Sequence, residues 1–555
     1  MKDYRKLARA VLSERDGMRK VWTELAKHIK PSLYDVVADL ARDPEERAYD
    51  ASSTASNALD VLVASFTMLV TPIGTQWCKL TSPEIGVKNP DGEMWYQHAT
   101  EVLLAHFARS NFYSVKQTSD LDNGLLGTGC LLCEPRRGGK KGVVFIHVPT
   151  GTYGIGEDEY GEVDTVCREL KMTPWQAVKR FGWDAVPEEV RRAYENPDEQ
   201  RSREVRVMHL VTPRDEYTPG NGTKGAVPGE MRYASVYIYE GSDDPIIEEG
   251  GYPEFPFMVN RFSRVPGSVW GYPPGINALN DIRSELTSER VLDMLSELAA
   301  FPRVAVPAKM MGEVDYRAGR ETYYTSNDPE TGVPREWGSN GRMEGILQRQ
   351  EEKRGKIDAA FHKNFLQVVS GVEREMTAYE VSARQREQVL SYSNVYTNMT
   401  QELTRLVARV FCVLFRQGAF DGSGSAEPAC LREYDNDGGE GFSIVTPHVM
   451  FNSMLSMEIE QAQQAGMTQA IQLAQAYQAV FQDPGAFDCI DSDEVIRNLF
   501  LTHGASAKVF RKADEVRRLR DERQREKDLA NNLVQAQTAR EASGAANNLG
   551  FGIQK

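Results

Sequence analysis

The stretch VEREMTAYEVSARQREQVLSYSNVYTNMTQELTRLVARVFCVLFRQ, Val372 to Gln417, contains neither Gly nor Pro. Thr377 and Glu380 have the spacing of a capping box, in which each side chain satisfies the other residue's free backbone N–H. Tyr396, Met399, Leu403, Leu406, Val410 and Leu414 recur at intervals of three and four, which is one apolar stripe of a helix. Gly418 follows as a C-cap. The pattern predicts one helix of about 40 residues, roughly 60 Å long, and a mainly helical α+β chain around it.

Upstream, Leu7, Val11, Leu12, Met18, Val21, Trp22 and Leu25 predict a first helix from Asp3 to Ile29, stopped by Pro31. Further helices are expected at Ser56 to Leu69 and Glu93 to Arg109. Strand-like runs follow at Val143 to Val148, Val163 to Leu170, Val205 to Val211, Tyr233 to Tyr239 and Phe257 to Phe262. In the third, alternation of Val205, Val207, His209 and Val211 with Arg206, Met208 and Leu210 predicts a half-buried strand. A short helix capped by Thr173 and Pro174 interrupts them and runs to Phe181. Pro273 and Pro274 introduce a helix from Ile276 to Ala299, closed by Phe301-Pro302. Another runs from Ile346 to about Val369. Asp421 to Gly441 has the composition of a loop. Met450 to Gln482 and Ser492 to Asn532 are expected to be helical, and Gly544 to Lys555 disordered.

The chain has 555 residues, material for three or four domains or one elongated subunit. Hydrophobic residues make up 41% and charged residues 26%, ordinary globular usage that excludes wholesale disorder. A net charge of −15 argues against tight whole-surface binding to polyphosphate. The uncharged stretches Val61 to Cys78 and Ala462 to Gln482 fall short of a bilayer span, so no membrane association is expected. The charged N-terminus has no secretory apolar core, which points to the cytoplasm where the chain is made. Seven scattered cysteines suit reduced, mostly buried thiols.

Motifs for chemistry are weak. Cys130-Leu131-Leu132-Cys133 has knuckle spacing without a second pair of ligands, so a buried strand is the better reading. Gly124, Gly127 and Gly129 do not form a dinucleotide loop. No P-loop, zinc-protease or nucleophile-elbow motif occurs. Arg136 to Lys141 is read as a solvated basic hairpin tip, and the alternating charges from Arg511 to Lys527 as a solvated helix or an intersubunit seam. No catalytic residue, metal or cofactor is expected.

Several blocks in order are more informative. Tyr49-Asp50-Ala51-Ser52, Leu69-Val70-Thr71-Pro72 with Trp77 and Leu80, Ser110-Asn111-Phe112, and Gly127-Thr128-Gly129 come first. Trp270-Gly271-Tyr272-Pro273-Pro274-Gly275 leads into Ala278-Leu279-Asn280-Asp281-Ile282. Thr377-Ala378-Tyr379-Glu380-Val381 precedes Arg384, Glu387 and Glu402-Leu403, with looser matches at Asp483-Pro484 and Asp491-Ser492-Asp493-Glu494. Together they resemble the portal, or head-to-tail connector, proteins of short-tailed double-stranded DNA bacteriophages. Tyr379 stands where that family commonly has a smaller residue.

The resemblance implies a closed ring, usually a dodecamer, with wing, stem, clip and crown around an axial channel at one vertex of the virion capsid. It assigns residues 1–138 to the helical wing, 139–268 to the β-rich wing and 269–300 to the first stem helix. The clip then takes 301–345, the second stem helix and tunnel loop 346–376, the long wing helix 377–420 and the helical crown 421–540, with 541–555 a disordered tail. It implies double-stranded DNA passing through the channel, a separate terminase motor, scaffolding and major capsid proteins, and tail adaptor proteins as partners. Lys363, Val369, Ser370, Gly371, Glu373, Arg374 and Glu375 are the tunnel-loop candidates for the DNA channel. Tyr323, Tyr324, Asn327, Asp328 and Arg335 are the clip candidates for terminase and tail docking. A tail adaptor or tube, and a magnesium-dependent nuclease, are the alternatives.

Overall fold

The computed structural model describes residues 4–33, 51–84, 90–136, 138, 141–215, 231–241, 246–300, 304–305, 335–336, 343–363, 378–421, 427–434, 442–451 and 513–550. The chain divides into two compact units, Met1–Met454 and Leu455–Lys555. In the first, α1 (Tyr4–Ile29) buries Val11, Leu12, Trp22, Leu25 and Ile29 along one face. Next, α2 (Ser53–Val70) starts at N-cap Ser52, whose hydroxyl accepts the Ala55 N–H at 3.1 Å. By length and composition α2 alone among the described helices matches a bilayer span, yet half of it is buried in the protein core, with Leu59, Leu62 and Phe66 fully enclosed.

A strand that the sequence did not announce, β1 (Cys78–Thr81), follows. Then come α3 (Pro90–Arg109) and α4 (Phe112–Leu126). Strands β2 (Thr128–Pro135), β3 (Val143–Val148), β4 (Tyr153–Glu157) and β5 (Val163–Met172) lead to α5 (Pro174–Phe181). This helix opens with the reciprocal capping box of Thr173 and Gln176. A second short helix, α6 (Glu188–Glu195), packs beside it, and β6 (Val205–Pro213), β7 (Tyr233–Tyr239), β8 (Ile246–Tyr252) and β9 (Phe257–Arg261) complete two antiparallel sheets. Their orders are β3-β2-β9 and β4-β5-β6-β7-β8.

Strand β6 is not half-buried. It lies at the centre of the five-stranded sheet, so Met208 and Leu210 pack with Ala8, Val11 and Leu12 of α1 on one face. On the other face Val205 and Val207 pack with Ala177 and Val190 of α5 and α6. Cys130 and Cys133 lie in β2, as the apolar residues between them suggested. Burial pushes both thiols up, Cys133 to about 12.

His209, also in β6, is fully buried. Arg168 Nε donates to its Nδ1 at 3.0 Å, which leaves the proton on Nε2, 3.0 Å from Ser235 Oγ. The Tyr237 ring stacks on the imidazole at 4.1 Å. Burial first, then the Arg168 and Arg180 charges, hold the imidazole well below its ordinary pKa. The folded chain therefore stays neutral at His209 where the unfolded chain takes a proton, below about pH 6.5. Stability is expected to fall as pH drops through that window, by at most about 1.4 kcal/mol per pH unit from this group. Denaturant titrations from pH 7.5 to 5 should show that slope, and His209→Gln should flatten it.

Beyond β9, α7 (Pro274–Ala300) and α8 (Met343–Ala360) form an antiparallel helical hairpin. At its far end β10 (Val304–Ala305) pairs with β11 (Arg335–Glu336). Helix α8 stops at Ala360 rather than near Val369, because Phe361 turns fully into the core and His362 adopts a left-handed φ of 56°.

The long helix is α9 (Ala378–Arg416), and Thr377 lies outside the described residues. Its C-terminus is a Schellman motif. Gly418 has φ 61° and donates to the Phe415 carbonyl, and Ala419 donates to that of Leu414. The basic turn before β3, exposed at Arg136, Gly138 and Lys141 as the sequence suggested, touches this helix end through its last residues. Lys141 Nζ donates to the Gly418 carbonyl at 2.9 Å, and the Gly142 N–H to Gln417 Oε1 at 2.6 Å. A cation at a helix C-terminus is electrostatically favoured.

Two carboxylates fix α9 to the strands. Glu254 takes Arg416 at 2.5 Å and also Arg409; burial pushes its carboxyl up, but the arginines outweigh that and leave it below its ordinary value. Glu402, with Arg264 and Arg405 each at 3.6 Å, is held above its ordinary value by burial.

The expected loop after α9 contains β12 (Arg432–Tyr434), paired with β13 (Phe442–Ile444). Met450 belongs to β14 (His448–Phe451), which pairs with β1, and not to a helix: Val449 points inward and Met450 outward, the period of a strand. In the second unit α10 (Ala513–Gly550) continues past Gly544, where the sequence suggested disorder. The remaining helical expectations between Leu455 and Lys512 fall outside the described residues.

Candidate functional site

The root of the α7–α8 hairpin brings together sequence blocks far apart in the chain. At the end of α4, Gly127 has φ 87° and its carbonyl accepts the Phe262 N–H at 2.9 Å. Gly271 lies directly against it. A Cβ built on either glycine would come under 3.0 Å from the other's carbonyl oxygen, so two backbones touch where no side chain fits. Thr128 between the strands accepts the Gly271 N–H on its hydroxyl at 2.9 Å. Trp22 Nε1 donates to the Leu126 carbonyl at 2.9 Å and meets Trp270 edge-on at 4.7 Å. The chain then enters α7 at Pro274, where a missing N–H has no cost. Gly275 lets the helix pass close to Leu25 and Ile29 of α1.

About three turns further into the hairpin, Glu285 is buried on the core face of α7, between Ile282 and Leu286. Its carboxylate accepts from Ser52 Oγ at 2.7 Å, Thr54 Oγ1 at 2.6 Å and Arg354 Nε at 3.1 Å. Arg354 also reaches Glu289 at 3.1 Å, and Lys353 pairs with Asp281 at 2.5 Å. The N-cap of α2, the middle of α7 and the middle of α8 thus share one anion, which sits at the favourable end of the α2 dipole. On the outer side Arg283 pairs with Glu24 at 2.6 Å, and that hydrogen bond holds the Glu24 carboxyl below its ordinary value despite partial burial. Glu285 was missed in the sequence. Its signal was an acid at a core position of an otherwise apolar helix face.

The expected channel and clip residues are only partly within reach. Lys363 is described, and its Nζ lies 3.1 Å from Asp358, a local pair just past the end of α8. Val369, Ser370, Gly371, Glu373, Arg374 and Glu375 lie outside the described residues, as do Tyr323, Tyr324, Asn327 and Asp328. Arg335 stands in β11 opposite Ala305. Among the described residues no group of three His, Cys, Asp or Glu side chains is placed to hold a metal ion.

Comparison with known proteins gives consistent matches. The family described as bacteriophage head to tail connecting protein matches residues 1–510. The probable portal protein of Bordetella phage BPP-1 is 26% identical over 402 residues, 70% of this chain and 70% of that protein. The portal protein of Salmonella phage epsilon15 is 24% identical over 545 residues, 96% of this chain and 92% of its own length. Among solved structures, a chain from the virion of the native gene transfer agent particle is 10% identical. It covers 76% of this chain and 86% of its own, at a TM-score of 0.34, too low to carry a fold assignment.

Proposed function

The chain belongs to the family of bacteriophage head to tail connecting proteins, and from that premise we propose that it is the portal subunit, copies of which close into a ring at one capsid vertex. In this reading the ring is a dodecamer assembled in the host cytoplasm with scaffolding and major capsid proteins. Double-stranded DNA passes through its axial channel, inward under a separate terminase motor and later outward. The chain has a structural role and no catalytic one. The α7–α8 hairpin is the stem, residues 301–345 are the clip that docks terminase and tail adaptors, and 369–376 are the tunnel loop, with Arg374 between Glu373 and Glu375 facing DNA.

The carrying observation is the family match over residues 1–510. The helical hairpin with a strand pair at its far end supports the same reading and sets the chain apart from a β-rich tail tube. An acidic subunit of net charge −15 also suits a conduit, since phosphates slide past a surface that does not hold them. Electron microscopy of the purified full chain tests the proposal. Rotationally symmetric rings with a hole wide enough for duplex DNA are expected; a uniform monomer or dimer across salt conditions would overturn it.

A further inference from the structure

The hairpin has two broad faces of opposite chemistry. On α7 the acids Glu289, Asp293 and Glu297 recur every four residues. On α8 the acids Glu344, Glu351 and Asp358 recur every seven. Arg354 bonds Glu289, so the flank of α7 bearing Glu289 and the flank of α8 bearing Arg354 lie on the same side of the hairpin. At 100° per residue the α8 acids fall within about 80° of Arg354, which makes this side the acidic face.

Arg349 and Lys356, also seven apart, lie about 150° around α8 from Arg354 and therefore on the other side, with Glu352 as the one carboxylate among them. Val291 and Met294 of α7 lie about 150° from Glu289 and share that basic face.

Glu289 and Asp358 are paired within the chain, with Arg354 and Lys363, but neither face is fully satisfied there. Asp293, Glu297, Arg349 and Lys356 are all exposed and have no ion-pair partner among the described residues. Met294 is 60% exposed on the basic face, and Leu347 is 52% exposed on the flank of α8 that carries Arg354. Gly345, on the basic side, has nothing within 4 Å of where a Cβ would stand, so backbone could be approached there. A two-helix hairpin touching itself along a single seam leaves most of its surface bare.

We propose that the acidic face of this hairpin docks against the basic face of the same hairpin in a second copy, with Asp293 and Glu297 of one chain meeting Arg349 and Lys356 of the next. The contact is heterologous: each copy uses one face toward each neighbour, so identical chains propagate around an axis until the ring closes. Met294 and Leu347 supply apolar contact between the charged rows. Opposite faces also set polarity, because a copy docked upside down or back to back places like charges together.

The inference rests on the ring reading above, and the test separates the two. Asp293→Lys with Glu297→Lys makes both faces basic, and Arg349→Glu with Lys356→Glu makes both acidic. Each double variant alone should lose rings by about tenfold or more at a fixed concentration, counted by electron microscopy. An equimolar mixture of the two should recover rings built of alternating chains, and the quadruple variant should recover them by itself.

Wild-type chains that never form rings would overturn the ring reading and this proposal with it. Wild-type rings with both double variants assembling equally well would overturn this proposal alone. So would double variants that melt like the wild type yet stay unassembled in the mixture and in the quadruple combination.

Discussion

Gly127→Ala is expected to cost about 4 kcal/mol of local stability at the hairpin root, enough to leave much of the chain insoluble. Two terms add. A left-handed φ costs an L-residue roughly 1–2 kcal/mol, and forcing a methyl group against backbone adds about 1–3 kcal/mol. The neighbour is the Gly271 carbonyl, which has no rotamer through which to yield. Gly17 is the matched control. It lies within α1 with nothing within 4 Å, so Gly17→Ala should raise stability by about 0.5–1 kcal/mol. Amide hydrogen exchange at Phe262 and Gly271 reads the result, because both N–H groups donate to the affected turn. Protection unchanged in Gly127→Ala would show that the two backbones are not in contact.

Glu285→Ala is the second large effect, expected at about 3 kcal/mol. Glu285 is the buried member of the cluster, and without it Ser52, Thr54 and the 39% exposed Arg354 would all lose an acceptor. Arg354 retains Glu289, which keeps the loss toward the low end of the range for buried pairs. Glu285→Gln preserves shape and should cost about half as much. Arg354→Ala should be comparable to Glu285→Ala, because it leaves the carboxylate buried with two hydroxyls only. A double-mutant cycle between Glu285 and Arg354, read by denaturant titration and by exchange at Ala55, would give a coupling of about 1–3 kcal/mol. A coupling near zero would mean that the hairpin is not fastened at this point.

The sequence carried the local features well. The stripe ending at Leu414 and Gly418, and the Thr173-Pro174 cap, are rules satisfied within one helix, and α9 and α5 stand where those residues put them. Helix α4 escaped notice because Lys116, Ser119, Asp120, Asp122 and Asn123 are all buried in it, so its hydropathy shows no apolar face. The β1–β14 pair joins residues some 370 positions apart, and no local pattern reports such a partner. Burial of β6 on both faces depended on α1 crossing the sheet, an arrangement fixed by tertiary packing.

The hairpin root divides the same way. Gly127 and Gly271 stood out individually, but their back-to-back contact required the sheet between them. Glu285 became intelligible only once Ser52 and Arg354 were beside it. The family resemblance came from the order of blocks along the chain, which reports ancestry without giving geometry.

Helix α9 has a mechanical corollary. From Val395 to Leu414 it buries a continuous row of side chains, and its C-terminal end is fastened by the Schellman turn, Gln417 and the Glu254 cluster. Seventeen residues, about 25 Å of uninterrupted helix, extend from that mount back to Ala378, next to the segment proposed to face DNA. Such a beam multiplies angle into distance: a tilt of about 5° at the mount displaces Ala378 by about 2 Å. In the proposed ring, repacking of a few side chains around Glu402 would thus be felt as a change of bore at the other end.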